Sequence, residues 1–373
     1  MKTYFLNSAP LSTQSDKDPR RRNLYGKDVV FLGETSERPF EDKRSIDIGP
    51  MWNGFSWQGF PVADPELIER AKRQLSIHPD AVLVIGDHHL ALPFCRSSVP
   101  FVFDPTDSNA LFYKRRIGAL ARRSPLKAIN SVRLAVYFRA LERIILKHAA
   151  CFITTGVADE AYLRTLASEA NIFRVGNGTD LIDEPPIVPH GDGLTVGFHG
   201  GMTWEPNRYT AARLAGPIAA ELAQLGGPSV RIRLAGRPIP ENVASQDSVN
   251  GVEICGYVDD IRDWLRSLSL YVMPMYLGAG VKNKLIEAMA AGVPVLTNAM
   301  GAESLDPKGR RTIAIAEGDA SIARTIQKLL ASPVELDRMR TEARAYAKKH
   351  FNWAESRQSL ANELARLRDQ GSI

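Results

Sequence analysis

The sequence predicts an α/β protein built of two doubly wound, Rossmann-like domains that face each other across a cleft. Three observations predict it. Short apolar runs that read as buried strands alternate with amphipathic helical stretches along the whole chain. The 373 residues exceed what one ordinary core holds and suit two. A Pro- and Gly-rich stretch without periodicity, 181–193, separates two runs of the alternation and reads as a linker. The domains are therefore placed at 1–182 and 183–350. A terminal helix, 351–373, is read as packing back on the first domain.

In the first half, strands are expected at 3–6, 28–33, 45–48, 81–86, 100–104, 151–155 and 172–175. Helices are expected at 64–77, with Asp64 as cap and Leu67, Ile68, Ala71 and Leu75 as apolar stripe, after 89, across 110–148 with interruptions, and after 155. The second half repeats the pattern. Strands are read at 194–198, 230–235, 252–255, 270–274, 293–296 and 312–316. Helices are read at 206–225, from Asp259 or Asp260, at 281–291, 320–331, 334–349 and 354–369.

Composition narrows the class. Hydrophobic residues make up 44% and charged residues 24%, as in a soluble globular protein. The net charge of +5 suits anionic ligands or an anionic membrane surface, and no nucleic-acid recognition module is visible. Cys95, Cys151 and Cys255 are odd in number, far apart, and lie in or beside apolar runs. They read as buried free thiols in a reducing cytoplasm, without zinc-like spacing. The N-terminal apolar run is too short for a secretory signal, and no stretch approaches ~18 apolar residues. A cytoplasmic chain, peripheral at the inner face of the membrane, is expected.

The strongest chemical signal is a β-loop-α unit. The apolar run 270–274 leads into Gly278-Ala279-Gly280-Val281-Lys282-Asn283-Lys284, and Gly292 ends the helix that follows. Lys282 and Lys284 stand in its first turn, where the dipole is already positive and N–H groups lack partners. A phosphate or diphosphate would reconcile them; two solvated lysines are the plain alternative. Glu287 follows Lys284 by one turn and could accept from ribose hydroxyls.

Strand ends supply further candidates: Asp87, His88, His89, Asp104 and Asp107. Read plainly, the Asp87 and Asp107 carboxylates cap helices and the histidines lie on the surface. The aromatic stretch 51–60 either lines a cleft that stacks on sugar rings or folds onto the core. Asp16 and Asp18, beside three arginines, read as a solvated loop. Region 114–147 interleaves ten basic residues and apolar ones with the lone acid Glu142. It is either an anionic-lipid surface or a solvated helix face.

The second half resembles the retaining glycosyltransferases of family 4, of the bacterial glycan-assembly type, which have the GT-B fold. The matching stretches are Val196 to Gly200, Leu234 to Gly236, Gly256 to Asp259, and above all Gly278 to Val295. Val175 to Asp180 and Phe103 to Ser108 carry a weaker likeness in the first half. The resemblance implies sugar transfer from a nucleotide-diphosphate sugar to a glycan or lipid-linked acceptor, with no metal and no nucleic-acid partner. It gives Glu287 the ribose, Lys284 the diphosphate, Gly280 and Val281 backbone contacts, and Gly256, Tyr257 and Val258 the base. Gly200, Gly201, Arg237 and Lys282 complete the expected donor contacts, and Asp104 and Asp107 would position the acceptor. Two departures stand out. Ala279 occupies the place of a glutamate that touches the donor sugar. Gly201 and Pro206 occupy the places of an Arg and a Lys, whose charge Lys282, Arg208 or Arg237 could replace. A GT-B-fold epimerase and a non-catalytic nucleotide-sugar-binding subunit, which Ala279 favours, are the alternatives. A periplasmic solute-binding protein would call for an export signal.

Overall fold

The structure, a computed structural model, describes residues 3–6, 24, 29–31, 65–121, 124–182, 194–226 and 229–373. The strand expected at 45–48, the aromatic stretch 51–60, the loop 16–22, Asp64 and residues 183–193 lie outside them. The chain forms two compact units. The first comprises 1–114, 129–175 and 354–373, the second 115–128 and 176–353.

The first unit holds a parallel sheet of six strands among the described residues: β1 (Thr3–Leu6), β2 (Val29–Phe31), β3 (Val82–Ile85), β4 (Val102–Phe103), β5 (Cys151–Thr154) and β6 (Ile172–Arg174). Their order is β2-β1-β3-β4-β5-β6. Strands β3, β4 and β5 are buried along their whole length, which is why they read as unbroken apolar runs. The pleat sends alternate residues to opposite cores. Leu83, Ile85, Phe103 and Phe152 pack with Phe94, Phe101, Ile145 and Leu163. Val82, Val84, Val102 and Ile153 pack with Leu360, Leu364 and Leu367 of the helix Trp353–Asp369.

The second unit holds β7 (Leu194–His199), β8 (Val230–Ala235), β9 (Val252–Gly256), β10 (Leu270–Met273), β11 (Val295–Thr297) and β12 (Ala314–Ile315). All are parallel, in the order β12-β11-β10-β7-β8-β9. After β9, at one edge, the chain returns to the centre and lays β10 beside β7, with Leu270 opposite Val196. The order of winding reverses between β7 and β10. Connections at the carboxyl ends of those two strands run to opposite faces, which opens a crevice where ligands bind in such sheets.

Several boundaries differ from the sequence reading. Residues 176–182 belong with the second unit. Asn177 donates to Asn283 at 2.8 Å, the Thr179 amide donates to Phe351 at 3.2 Å, and Leu181 packs on the second core. The helix expected at 206–225 carries a π-helical turn, Leu214–Ile218, between Glu205–Arg213 and Ala219–Leu225. Pro217 lies in that turn and has no N–H to give, which breaks the α ladder there. Of the two caps the sequence offers, Asp260 is the one that caps Ile261–Arg266, accepting from the amides of Arg262 and Asp263. Cys95 and Cys151 are buried, and burial pushes their thiols up to about 11 and about 12; Cys255 is only half-buried.

Candidate functional site

The crevice of the second unit is built from the ends of β7 and β10. Beyond β10 the chain turns through a glycine-rich loop into the helix Asn283–Ala291. The loop is held at both ends. The Asn298 side chain accepts from the Met275 amide at 3.0 Å and donates to the Met275 carbonyl at 2.6 Å. Gly280 turns the loop with φ 65°, a left-handed conformation that strains other residues. Arg115 donates to the Gly278 carbonyl at 2.9 Å and grips Glu303 with both guanidinium ends, at 2.9 and 2.7 Å.

Lys282 differs from its expected part. It is the N-cap residue, not a first-turn residue, and is buried. A buried ammonium needs acceptors for its three donors. Its Nζ finds them in Ala279 O at 3.1 Å, Gly280 O at 2.8 Å and Glu303 Oε1 at 2.9 Å. Those contacts make Lys282 the internal tie of the loop and leave its charge committed to Glu303.

Lys284 is placed otherwise. The helix has no side-chain N-cap hydrogen bond, and the amides of its first turn precede any i−4 carbonyl of the helix itself. The Lys284 chain folds back over β7: a Cβ on Gly200 would lie 2.6 Å from its Cε. Burial pushes the Lys284 ammonium below its ordinary range, Glu287 pulls it back up, and Lys282 adds to the fall. At the other end of the helix, Gly292 forms the C-cap, and the Arg344 guanidinium donates to the Ala290 carbonyl. Positive groups thus stand at both ends of this helix. The dipole stabilises the Arg344 end alone, which leaves the N-terminal end a place for an anion.

Glu287 lies one turn on. Its Oε2 is 3.2 Å from His199 Nε2, and His199 Nδ1 is 3.1 Å from the Tyr271 hydroxyl. Burial lowers the His199 pKa below its usual 6.5 despite the opposing pull of Glu287, so the ring is neutral near pH 7. Burial raises Glu287, but the His199 hydrogen bond and nearby positive charge outweigh it and hold the carboxyl low. Sequence reading missed His199 and Tyr271. A polar residue closing a strand just before Gly200 was the available signal.

The remaining donor-side residues gather at the ends of β8 and β9. Gly236 has φ 135°, and a Cβ there would overlap the carbonyl oxygen of Gly200. Its amide donates to Gly256 O at 2.6 Å, so three strand ends meet through main chain. Arg237 and Tyr257 are exposed, the guanidinium 4.2 Å from the ring centroid, a flat cationic platform. Gly201 is exposed, with its carbonyl accepting from Asn207 at 2.8 Å. Val258 and Val281 are half-buried. Arg208, a candidate to replace the missing charge, donates to the Met202 and Thr203 carbonyls.

The strand-end candidates of the first unit make local contacts. Asp87 caps the helix His88–Phe94, accepting from the His89 amide at 2.8 Å and the Leu90 amide at 3.1 Å. His88 is buried against Glu142, and His89 stacks on Tyr137. Asp104 has no exposed surface, and its carboxylate accepts from the Thr106 amide at 3.3 Å. Asp107 is half-buried and accepts from the Thr155 hydroxyl at 3.1 Å. Among the described residues no group of three His, Cys, Asp or Glu is arranged to hold a metal ion, and no helix is long and apolar enough to cross a membrane.

Residues 193–332 match the family model of glycosyl transferases group 1. The second unit therefore carries an enzyme's glycosyl-transferring domain. No curated protein matches the chain in sequence. Among solved structures, sucrose-phosphate synthase from Thermosynechococcus elongatus is similar over 99% of both chains, with 18% identity and a TM-score of 0.69. Anabaena HepE in complex with UDP is similar over 98% of this chain and 100% of its own, with 15% identity and a TM-score of 0.66. The same protein with UDP-glucose gives 15% and 0.64, at the same coverage. These likenesses establish the fold as GT-B.

Proposed function

We propose that the chain moves a sugar from a nucleotide-diphosphate sugar to a glycan or lipid-linked acceptor, with retention at the anomeric carbon. One observation carries the reading: Lys284, Glu287 and an uncapped helix N-terminus converge on the β7–β10 switch point, inside the segment matched by the transferase family model. The ribose would sit against Glu287, the base against the Arg237–Tyr257 platform, and the diphosphate at Lys284 and the first helix amides. Breaking the anomeric C–O bond leaves a negative charge on the departing diphosphate. Fixed N–H groups and the Lys284 ammonium stabilise that charge without reorganising. These groups carry the charge, so the step calls for no metal. HepE's complexes with UDP and UDP-glucose support a donor of this class. Retention rests on the family 4 resemblance of Gly278 to Val295.

The helix Pro125–His148 supports a lipid-linked acceptor. Its solvent face carries Leu126, Ile129, Val132 and Val136, of which Leu126 is 82% exposed, interleaved with exposed Lys127, Arg133, Arg139, Arg143 and Lys147. A solvated face is ordinarily polar; apolar and basic residues together suit the surface of an anionic bilayer. Vesicles containing phosphatidylglycerol should sediment the protein, less so as salt rises. Equal binding to neutral vesicles would remove this part of the reading.

The test of the whole is direct. The protein is incubated with UDP-, GDP- and ADP-sugars, and thermal protection is followed by an assay of release of the nucleoside diphosphate with added acceptors. Protection and acceptor-dependent release are expected for one donor; neither, for any donor, would end the proposal.

A further inference from the structure

We propose that His199 and Tyr271 are positioning residues that hold Glu287 ready for the ribose of the donor. The proposal rests on the nucleotide-sugar reading above. Three side chains from two adjacent strands and one helix form a single line: the Tyr271 hydroxyl, His199 Nδ1, His199 Nε2 and Glu287 Oε2, with steps of 3.1 and 3.2 Å.

The direction of the line follows from its ends. Glu287 is a carboxylate and can only accept, so Nε2 carries the hydrogen and donates. Nδ1 of the neutral ring is then an acceptor, and the Tyr271 O–H donates to it. Tyr271 is wholly buried, and burial holds its phenol well above the ordinary range, so it keeps its proton. The ring cannot swing away: the Trp264 ring lies edge-on at 5.6 Å and Tyr271 at 5.5 Å. One oxygen of Glu287 is thus fixed, and its Oε1 meets no donor among the described residues. That oxygen is the one free to accept from a ribose hydroxyl, at an orientation set before the ligand arrives.

The same line predicts an acid limb. The groups facing His199 are Tyr271 on β10, Glu287 and Lys284 on the helix after it, and the Trp264 ring. When pH falls through its lowered pKa, the ring gains a hydrogen on Nδ1. The Tyr271 O–H then loses its acceptor, and the imidazolium draws on Glu287 more strongly. The carboxylate accepts less well from a sugar hydroxyl, so affinity falls.

The experiment is calorimetric titration of the full chain with UDP, GDP and ADP, between pH 5 and pH 7.5. For whichever nucleotide wild type binds, His199→Ala should raise Kd roughly tenfold and Tyr271→Phe roughly threefold. Neither should weaken binding further when Glu287 is already Gln, because all three act through one carboxylate. His199→Gln keeps a donor and an uncharged side chain, so it should bind within roughly threefold of wild type at pH 7.5, and any acid loss due to the imidazole should be missing from it. Phosphate protonation is common to both proteins, so the difference between their pH profiles is read. Equal losses in the wild-type and Glu287→Gln backgrounds would overturn the relay while leaving the nucleotide reading intact. Absence of binding by wild type to all three nucleotides would overturn both.

Discussion

His88 and Glu142 approach to 3.3 Å in the first unit, and His199 and Glu287 approach to 3.2 Å in the second. The chemistry of the two pairs is the same, and their surroundings are opposite. Glu142 has no exposed surface; its second oxygen takes the Ser108 hydroxyl at 2.8 Å, and the first also takes the Ala110 amide at 3.2 Å. It closes the N-terminus of the helix Asn109–Leu120, while Asp159 accepts from the Ser108 amide at 2.8 Å. The Glu287 side chain is 33% exposed and offers an oxygen to the crevice. A buried carboxylate whose oxygens are all engaged holds a fold together. The same group with one oxygen open at a strand switch point has capacity left for a ligand.

Three substitutions sharpen or break this contrast. The largest effect is expected beside the open pair: Lys284→Ala should raise the barrier by about 3–4 kcal/mol, more than a hundredfold in kcat, with the circular dichroism unchanged. Turnover close to wild type would remove Lys284 from the diphosphate. Next, Glu142→Ala should cost about 3 kcal/mol of stability, because it orphans the Ser108 hydroxyl and the Ala110 amide, read as a lower denaturant midpoint. An unchanged midpoint would mean that this pair is not the structural one. Smallest in free energy, Glu287→Ala should cost about 2 kcal/mol of donor binding, seen as a raised KM, while its unfolding free energy stays within about 0.5 kcal/mol of wild type. If Glu287→Ala instead unfolds early and binds normally, the two pairs have been assigned the wrong way round.

The architecture was largely legible in the sequence, because buried parallel strands and amphipathic helices leave strong periodic marks. The glycine loop and the helix after it were legible for the same reason: Gly280 and Gly292 stand where left-handed backbone is needed. What the sequence hid depends on which strands are neighbours. His199 and Tyr271 are 72 positions apart and meet only because β10 lies beside β7, an order that alternation alone does not reveal. In the sequence Lys282 looks like a ligand-facing cation, because its partner Glu303 is 21 positions on, past β11. Arg115 reaches Glu303 across 188 positions. Glu142 stood out as a lone acid among basic residues, yet the sequence could not say that it faces inward. The aspartates at strand ends carried an ambiguity that only hydrogen bonds resolve: Asp87 serves as a cap.

The contact between Gly200 and Gly236 bears on how this enzyme could change its diet. Where two peptide planes touch, no point substitution can remodel the floor of the pocket without prying strands apart. On the proposed reading, altered preference for a base would come from the rim, where the exposed Arg237 guanidinium lies over the exposed Tyr257 ring. A library randomised at those two positions would explore new nucleotides at little risk to folding, whereas one that included the two glycines would consist mainly of misfolded chains.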